Sequence, residues 1–303
     1  MSIVVVGSVA LDTVETPFGR AAEALGGSAT YFSLAARLFH PVRLVGVVGS
    51  DFPSDHVDLL AGRDVDLAGL AVEDGETFRW AGRYDFDLNN CETLDTQLNV
   101  FATFRPSLPD AYRDAGVVFL ANIHPSLQLD VLKQVRRPWL TAMDTMNFWI
   151  SSQRDLVTQV MRSVDVVIVN EAELRQYAGT QSLHAAAWQV LALGPKALVV
   201  KKGEYGAAVY GDGFYFVVPA YPLEEVKDPT GAGDSFAGGF LGYLARAGRI
   251  APPILRRALV YGSVVASYTV EDFSVRRLAR LTTEEIAGRY REFREFTEFG
   301  EDV

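Results

Sequence analysis

Asp228-Pro229-Thr230-Gly231-Ala232-Gly233-Asp234-Ser235-Phe236-Ala237-Gly238-Gly239-Phe240 is the stretch from which the rest of this chain can be read. Pro229 pushes Asp228 into an extended conformation, and Gly231 and Gly233 permit a tight turn that bulkier residues would resist. Phe236, Phe240, Leu241 and Leu244 then recur at helical spacing, so a helix starts near Ala232. A glycine-rich turn thus feeds a helix N-terminus, where free N–H groups and the positive end of the dipole converge. Asp234, in the first helical turn, is placed where a base takes a proton from an attacking hydroxyl. An anion hole and a carboxylate within one turn are the parts that a phosphoryl transferase needs. An acid there also favours any helix by roughly 0.3–1 kcal/mol. Gly238, Gly239 and Gly242 weigh against that plain reading. Inside a helix each costs on the order of 1 kcal/mol relative to alanine, so a close backbone approach must compensate.

Composition sets the bounds. The 303 residues are 49% hydrophobic and 22% charged, as in a soluble globular enzyme with a large core. A net charge of −10 argues against nucleic acid and anionic membrane surfaces as partners. The single Cys91 excludes an internal disulfide and suits a reducing cytoplasm. No basic leader precedes Ile3–Val6, and no apolar run reaches transmembrane length.

Ile3-Val4-Val5-Val6-Gly7 reads as a strand covered on both faces, with Asp12 emerging beyond its carboxyl end. Neither Gly-x-Gly-x-x-Gly nor a Walker-type Gly-Lys-Ser/Thr occurs, which removes the dinucleotide and P-loop readings. Val14, Thr16 and Phe18 alternate as a short strand leaving the body. Gly26-Gly27-Ser28 opens a helix over Ala29 to Phe39, either as a turn with Ser28 as N-cap or as backbone that approaches a substrate hydroxyl. The segments Glu76 to Tyr84 and Leu94 to Phe104 alternate as strands of a small sheet. Phe78, Trp80, Phe101 and Phe104 are mainly packing residues there, and Arg105 is a candidate contact for an anion or hydroxyl. From Val117 to Lys202 strands and helices alternate, which predicts a parallel sheet with helices on both faces. Asn122, Asp144 and Asn147 follow strand ends, as pocket residues or as caps and turns. Asn170-Glu171-Ala172-Glu173 fits a capping box and equally a pair of polar groups on one helix face.

The 228–240 run resembles the signature of the ribokinase-like sugar kinases, the PfkB family, and Asn170-x-x-Glu173 is similar to the family's second motif. The resemblance implies a Rossmann-like three-layer α/β/α sandwich with a mostly parallel sheet, as one kinase domain over 1–303. It also implies a small β lid formed by insertions at about 13–20 and 76–105. It implies ATP as donor and magnesium as cofactor, with Asp234 as base and the N–H groups of Gly231, Ala232 and Gly233 holding the transferring charge. Asn170, Glu173 and Asp228 fall on the metal side. Asp12, Gly26, Gly27, Ser28, Asn122 and Arg105 fall on the acceptor side. Lys202, Gly203, Gly206, Thr230, Gly262 and Ala266 fall on the nucleotide side, where Tyr261 and Ser267 of a helix over Ile254 to Val270 also lie.

Ala10, Ser28 and Tyr31 depart from the polar residues that grip ribose in ribokinase, so ribose is a poor expectation. Val270 to Ser274, with Asp228 and Thr230, aligns with a monovalent-cation region, but its usual glycine is absent, and K+ dependence stays open. A last helix from Thr283 docks Phe293, Phe296 and Phe299 on the body, and the lid is a candidate homodimer surface. The expected acceptor is a sugar-like or nucleoside alcohol. A non-catalytic sugar- or nucleotide-binding regulator is the alternative that the intact Asp234, Asn170 and Glu173 oppose. A hydroxymethylpyrimidine-type kinase is opposed by the lid.

Overall fold

Apolar runs too short for helices and bounded by glycine become strands, and the computed structural model describes residues 2–88 and 90–298. In chain order come β1 (Ile3–Val6), β2 (Ala10–Thr16), β3 (Gly19–Gly26), α1 (Ser28–Ala36), β4 (Val42–Gly49), α2 (Ser54–Ala61), β5 (Val65–Glu73), β6 (Arg79–Tyr84) and β7 (Cys91–Gln97). Next are β8 (Val117–Leu120), α3 (Pro125–Gln134), β9 (Leu140–Met143), α4 (Asn147–Ser152), α5 (Arg154–Arg162), β10 (Val166–Asn170), α6 (Glu171–Ala178) and α7 (Leu183–Leu191). The chain continues with β11 (Ala197–Lys201), β12 (Ala207–Gly211), β13 (Phe214–Val218), α8 (Ala232–Ala247), α9 (Pro252–Thr269), α10 (Arg276–Arg280) and α11 (Thr283–Thr297).

Nine strands form the main sheet in the order β13-β12-β11-β10-β9-β8-β1-β4-β5. It is parallel from β11 to β5, and the β12–β13 hairpin closes one edge antiparallel. Ile3 to Val6 are fully buried, as a strand covered on both faces requires. Side chains alternate across the sheet, so Ile3 and Val5 join one core with α1, α8 and α9, while Val4 and Val6 join the other with α3, α5 and α7. In the β10–β11 register Asn170 lies opposite Lys201, which puts two strand-end polar groups side by side.

The smaller sheet runs β3-β2-β6-β7. It is larger on its first side than expected: β2 starts at Ala10, so Asp12 lies in this sheet, beside a bulge, and Phe18 falls in the exposed turn. Strand β3 carries alanines and glutamate, a weak strand composition, and takes its conformation from pairing with β2. The expected strand over Leu94 to Phe104 is two elements. Strand β7 ends at Gln97, and Asn99–Thr103 turns as a 3₁₀ helix that stacks Phe101 on Phe78 and Phe104. Of the three phenylalanines placed on the body, Phe293 is buried and Phe296 packs on it, whereas Phe299 lies outside the described residues.

Helix α8 is held between α1 and α9 by its glycines. A methyl at Gly238 would lie 2.6 Å from Ala35 Cβ and from the Phe32 carbonyl, and one at Gly239 would lie 2.8 Å from the Tyr261 carbonyl. Helix propensity favours alanine by about 1 kcal/mol, whereas overpacking costs typically 1–3 kcal/mol. Gly238→Ala is therefore expected to lower the stability measured by urea unfolding; a midpoint equal to or above wild type would refute this close approach.

Candidate active site

The signature segment folds as its residues dictate. Asp228 is buried, and its Oδ1 accepts from Thr230 N at 2.9 Å, a local turn that sets the loop's direction. Its Oδ2 accepts from Ser274 N at 3.1 Å and so binds the loop to the segment after α9. Gly231 takes φ 75° as the N-cap of α8, a left-handed conformation that glycine adopts freely. The ring of Tyr31 lies against it, 2.4 Å from where a Cβ would be. No side chain caps α8; Ala232 N, expected in the anion hole, donates instead to the Pro229 carbonyl at 3.1 Å, and the N–H groups of Gly231 and Gly233 on either side of it are the ones left for a ligand.

Asp234 stands in that first turn, half-buried. Burial, with Asp144 adding repulsion and Lys201 opposing it, pushes its carboxyl up to about 7. Lys201, the last residue of β11, places Nζ 2.9 Å from Asp144 Oδ2. Burial works against its charge, but Asp144, Glu173 and Asp234 outweigh it and hold the ammonium protonated. The same Nζ lies 3.1 Å from the Cβ position of Gly233, against the anion-hole turn. Glu173 is buried and raised, by desolvation first and by Asp144 second. Both arms of the expected capping box form: Asn170 N donates to Glu173 Oε2 at 2.7 Å, and Glu173 N donates to Asn170 Oδ1 at 2.8 Å.

Asp12 faces this cluster from the small sheet. Burial pushes its carboxyl up to about 7, against a hydrogen bond from Gly27 N at 3.3 Å, with Asp228 and Asp234 adding repulsion. Gly26 and Gly27 serve that acid directly. A Cβ at Gly26 would overlap Asp12 Oδ2, and Gly27, at φ 94°, is the N-cap of α1 in place of Ser28. Ser28 Oγ instead accepts from Ser8 N at 3.2 Å and shares a hydrogen bond with Ser8 Oγ at 3.1 Å. Tyr84 of β6 reaches from the small sheet, its hydroxyl 3.3 Å from Thr230 Oγ1.

Other sequence-selected residues have additional or different surroundings. Asn122 Oδ1 accepts from Trp149 Nε1 at 3.1 Å, and exposed Asn147 bonds Gln176. Arg105 is exposed and donates to its neighbour's carbonyl, Phe104 O, at 2.9 Å. Gly262 packs on Phe236 of α8, at 3.0 Å from a would-be Cβ, while Ala266 stays half-buried one turn on. Lys202, Gly203 and Gly206 form the turn after β11, closed by Lys202 N to Gly206 O at 2.8 Å. The residue that the sequence reading missed is Lys201. Two adjacent lysines end the strand, and only the β11 register shows which one faces Asp144.

A family model of pfkB family carbohydrate kinases matches residues 2–279. The chain belongs to the PfkB family. Its fold is ribokinase-like, and it is a phosphotransferase whose acceptor is the hydroxyl of a sugar or nucleoside. The chain is 32% identical to the cytidine kinase of Thermococcus kodakarensis, across 81% of this chain and 89% of that protein. Among solved structures, Burkholderia thailandensis nucleoside kinase in complex with inosine superposes with a TM-score of 0.80 at 19% identity, covering 96% and 98% of the two chains. An E. coli protein assigned as ribokinase II, in complex with ATP and Mg2+, gives a TM-score of 0.78 at 19% identity, covering 96% and 99%. Among the described residues no helix is long and apolar enough to cross a membrane.

Two acids raised to about 7, Asp12 and Asp234, make a pH prediction. Their folded pKa values exceed the ordinary 3.8, so between about pH 4 and 7 the folded state binds more protons than the unfolded one. The stability they contribute is present below that window and is lost as pH rises through it. Thermal midpoints should fall from pH 5 to pH 8 in wild type and fall less in Asp12→Asn. Equal slopes in the two proteins would contradict the burial of this charge.

Proposed function

We propose that the protein transfers the γ-phosphoryl group of ATP to a ribose hydroxyl of a nucleoside, in preference to free ribose. The observation that carries this reading is the acceptor floor. Asp12 is its charged group, with one hydrogen bond from the protein and lone pairs left for a pair of hydroxyls. Ala10 and Tyr31 are packed into the core, and the Ser28 hydroxyl is already engaged by Ser8. A free sugar needs partners for every hydroxyl, whereas a nucleoside has fewer hydroxyls and brings a flat aromatic base whose face can stack on apolar side chains. Sites discriminate strongly where a hydroxyl has a dedicated partner. The cytidine kinase likeness supports the same acceptor class.

In this reading the Asp234 carboxylate takes the proton of the attacking hydroxyl, and its pKa near 7 suits a base at neutral pH. The N–H groups of Gly231 and Gly233 hold the charge that develops on the transferred group, while Ala232 N is engaged by the Pro229 carbonyl. Thr230, Lys202, Gly203, Gly206 and Ala266 line the nucleotide side, with Gly262 acting through the α8–α9 contact.

The donor set fits a divalent cation held through water and phosphate oxygens. Asp144, Glu173 and Asp234 surround one ammonium, and among the described residues no three metal-ligating side chains form a cage. Bound Mg2+ would neutralise charge on the phosphates. Asn170 and Glu173 are the residues that orient its water shell. The K+ region fits less well: the Val270 carbonyl already accepts from Lys227 N and Asp228 N, and both Asp228 oxygens are taken by N–H groups. No step is routed through it.

The test is ATP turnover against cytidine, uridine, inosine, adenosine, ribose and fructose. A nucleoside should lead; ribose turned over as well as the best nucleoside overturns the acceptor assignment. On the leading substrate Asp234→Asn should lower kcat by about 10²–10⁴ while nucleotide binding by calorimetry persists. Asp12→Ala should raise KM and lower kcat together. A wild-type kcat in Asp234→Asn would remove the base from this scheme.

A further inference from the structure

Lys201 is used by nothing described so far except its ion pair, and that pair leaves most of its bonding capacity unspent. An ammonium carries three donors; among the described residues Lys201 Nζ makes one hydrogen bond, to Asp144 Oδ2 at 2.9 Å. Its side chain is 17% exposed and that of Asp144 5%, so the open side of the pair is the lysine's. Asp144 is fixed from behind: its Oδ1 accepts from Thr145 N at 2.7 Å, and its carbonyl accepts from the buried Gln128 amide at 2.9 Å. The ammonium lies against Gly233, in the first turn of α8. The remaining charged groups that act on Lys201 are Glu173 and Asp234, both carboxyls, which repel a phosphate. The site therefore has one fixed protein cation at its anion hole.

We infer that Lys201 is a catalytic residue that donates to the equatorial oxygens of the transferring phosphoryl group, with Asp144 as the residue that positions it. This rests on the kinase reading above and extends it. Charge in phosphoryl transfer is spread over the equatorial oxygens, so a cation placed there acts on the chemical step. Asp144, fixed by Thr145 and Gln128, keeps the long side chain from swinging into solvent. It also explains why Lys201, and not Lys202 on the nucleotide side, meets the transferring group. Lys201 is the last strand residue, aligned with Asn170, while Lys202 begins the turn beyond it.

The experiment compares wild type, Lys201→Met, Asp144→Asn and the double variant, each first checked by circular dichroism and thermal unfolding. On the leading nucleoside, Lys201→Met should lower kcat by about 10²–10³, as for loss of one charge-stabilising donor. The acceptor KM should stay within about threefold, since the ammonium is placed on the phosphoryl group and not on the nucleoside. A lysine that only neutralises Asp144 predicts something else: the double variant, with neither charge, would recover kcat. We expect the double variant to recover thermal stability and not kcat. Recovery of kcat, or a Lys201→Met enzyme with wild-type kcat, overturns the inference. Wild type failing to transfer phosphate to any alcohol of the panel is a separate outcome. It sinks the kinase reading, and this inference with it.

Discussion

The contact of α8 with α1 and α9 is the constraint on which the site depends. A helix N-terminus serves as an anion hole only if its position is fixed to within a fraction of an ångström. Here the glycines of α8 let its backbone touch Phe32 and Ala35 on one side and Tyr261 on the other. The first turn of α8 is then held at the carboxyl ends of β10 and β11, where Asn170 and Lys201 stand side by side. Tyr31 extends the same packing to the loop, because its ring occupies the space beside Gly231 that any larger residue would fill. The glycines give up helix propensity and gain placement, and their value lies in function as much as in stability.

The second constraint is electrostatic. Asp12, Glu173 and Asp234 are all raised by burial first, and each feels at least one neighbouring carboxylate. In a folded protein without ligands such a cluster opposes folding at neutral pH. The large two-sided core, with β1, β8 and β10 almost wholly buried, supplies the stabilisation that tolerates it. Strain of this kind is found where a site is prepared for charge it does not itself carry. The Lys201 ammonium and the uncapped start of α8 are its complement.

How much of this was legible in the sequence varies by residue. The start of α8 at Ala232 and the close approach of its glycines followed from local chemistry, since propensity and helical spacing act within a few residues. The alternation of β and α from Val117 onward was legible for the same reason. What was not legible depends on register or on pairing between distant segments. Strand β3 has no strand-like composition and exists because β2 pairs with it. The end of β7 at Gln97 is set by the turn that follows, through the stack of Phe78, Phe101 and Phe104. Lys201 and Lys202 are chemically identical in a sequence, and only the neighbouring strand separates them. Gly26 and Gly27 were read as a substrate contact, yet their immediate reason is to make room for Asp12 and to donate to it.

The two halves of the site are also joined, and the joint bears on how acceptor choice and transfer are coupled. Tyr84 of the small sheet meets Thr230 of the signature loop, and Thr230 N is the donor that fixes Asp228. Burial raises the Tyr84 phenol, so it stays neutral and bonds as a hydroxyl. On the other side, the Tyr31 ring lies against Gly231, and the charges of Asp228, Asp12 and Asp234 act on its phenol. The signature loop is therefore met by one tyrosine from the small sheet and by another from α1. Displacing the small sheet would loosen the Thr230 contact, and displacing α1 would loosen Gly231.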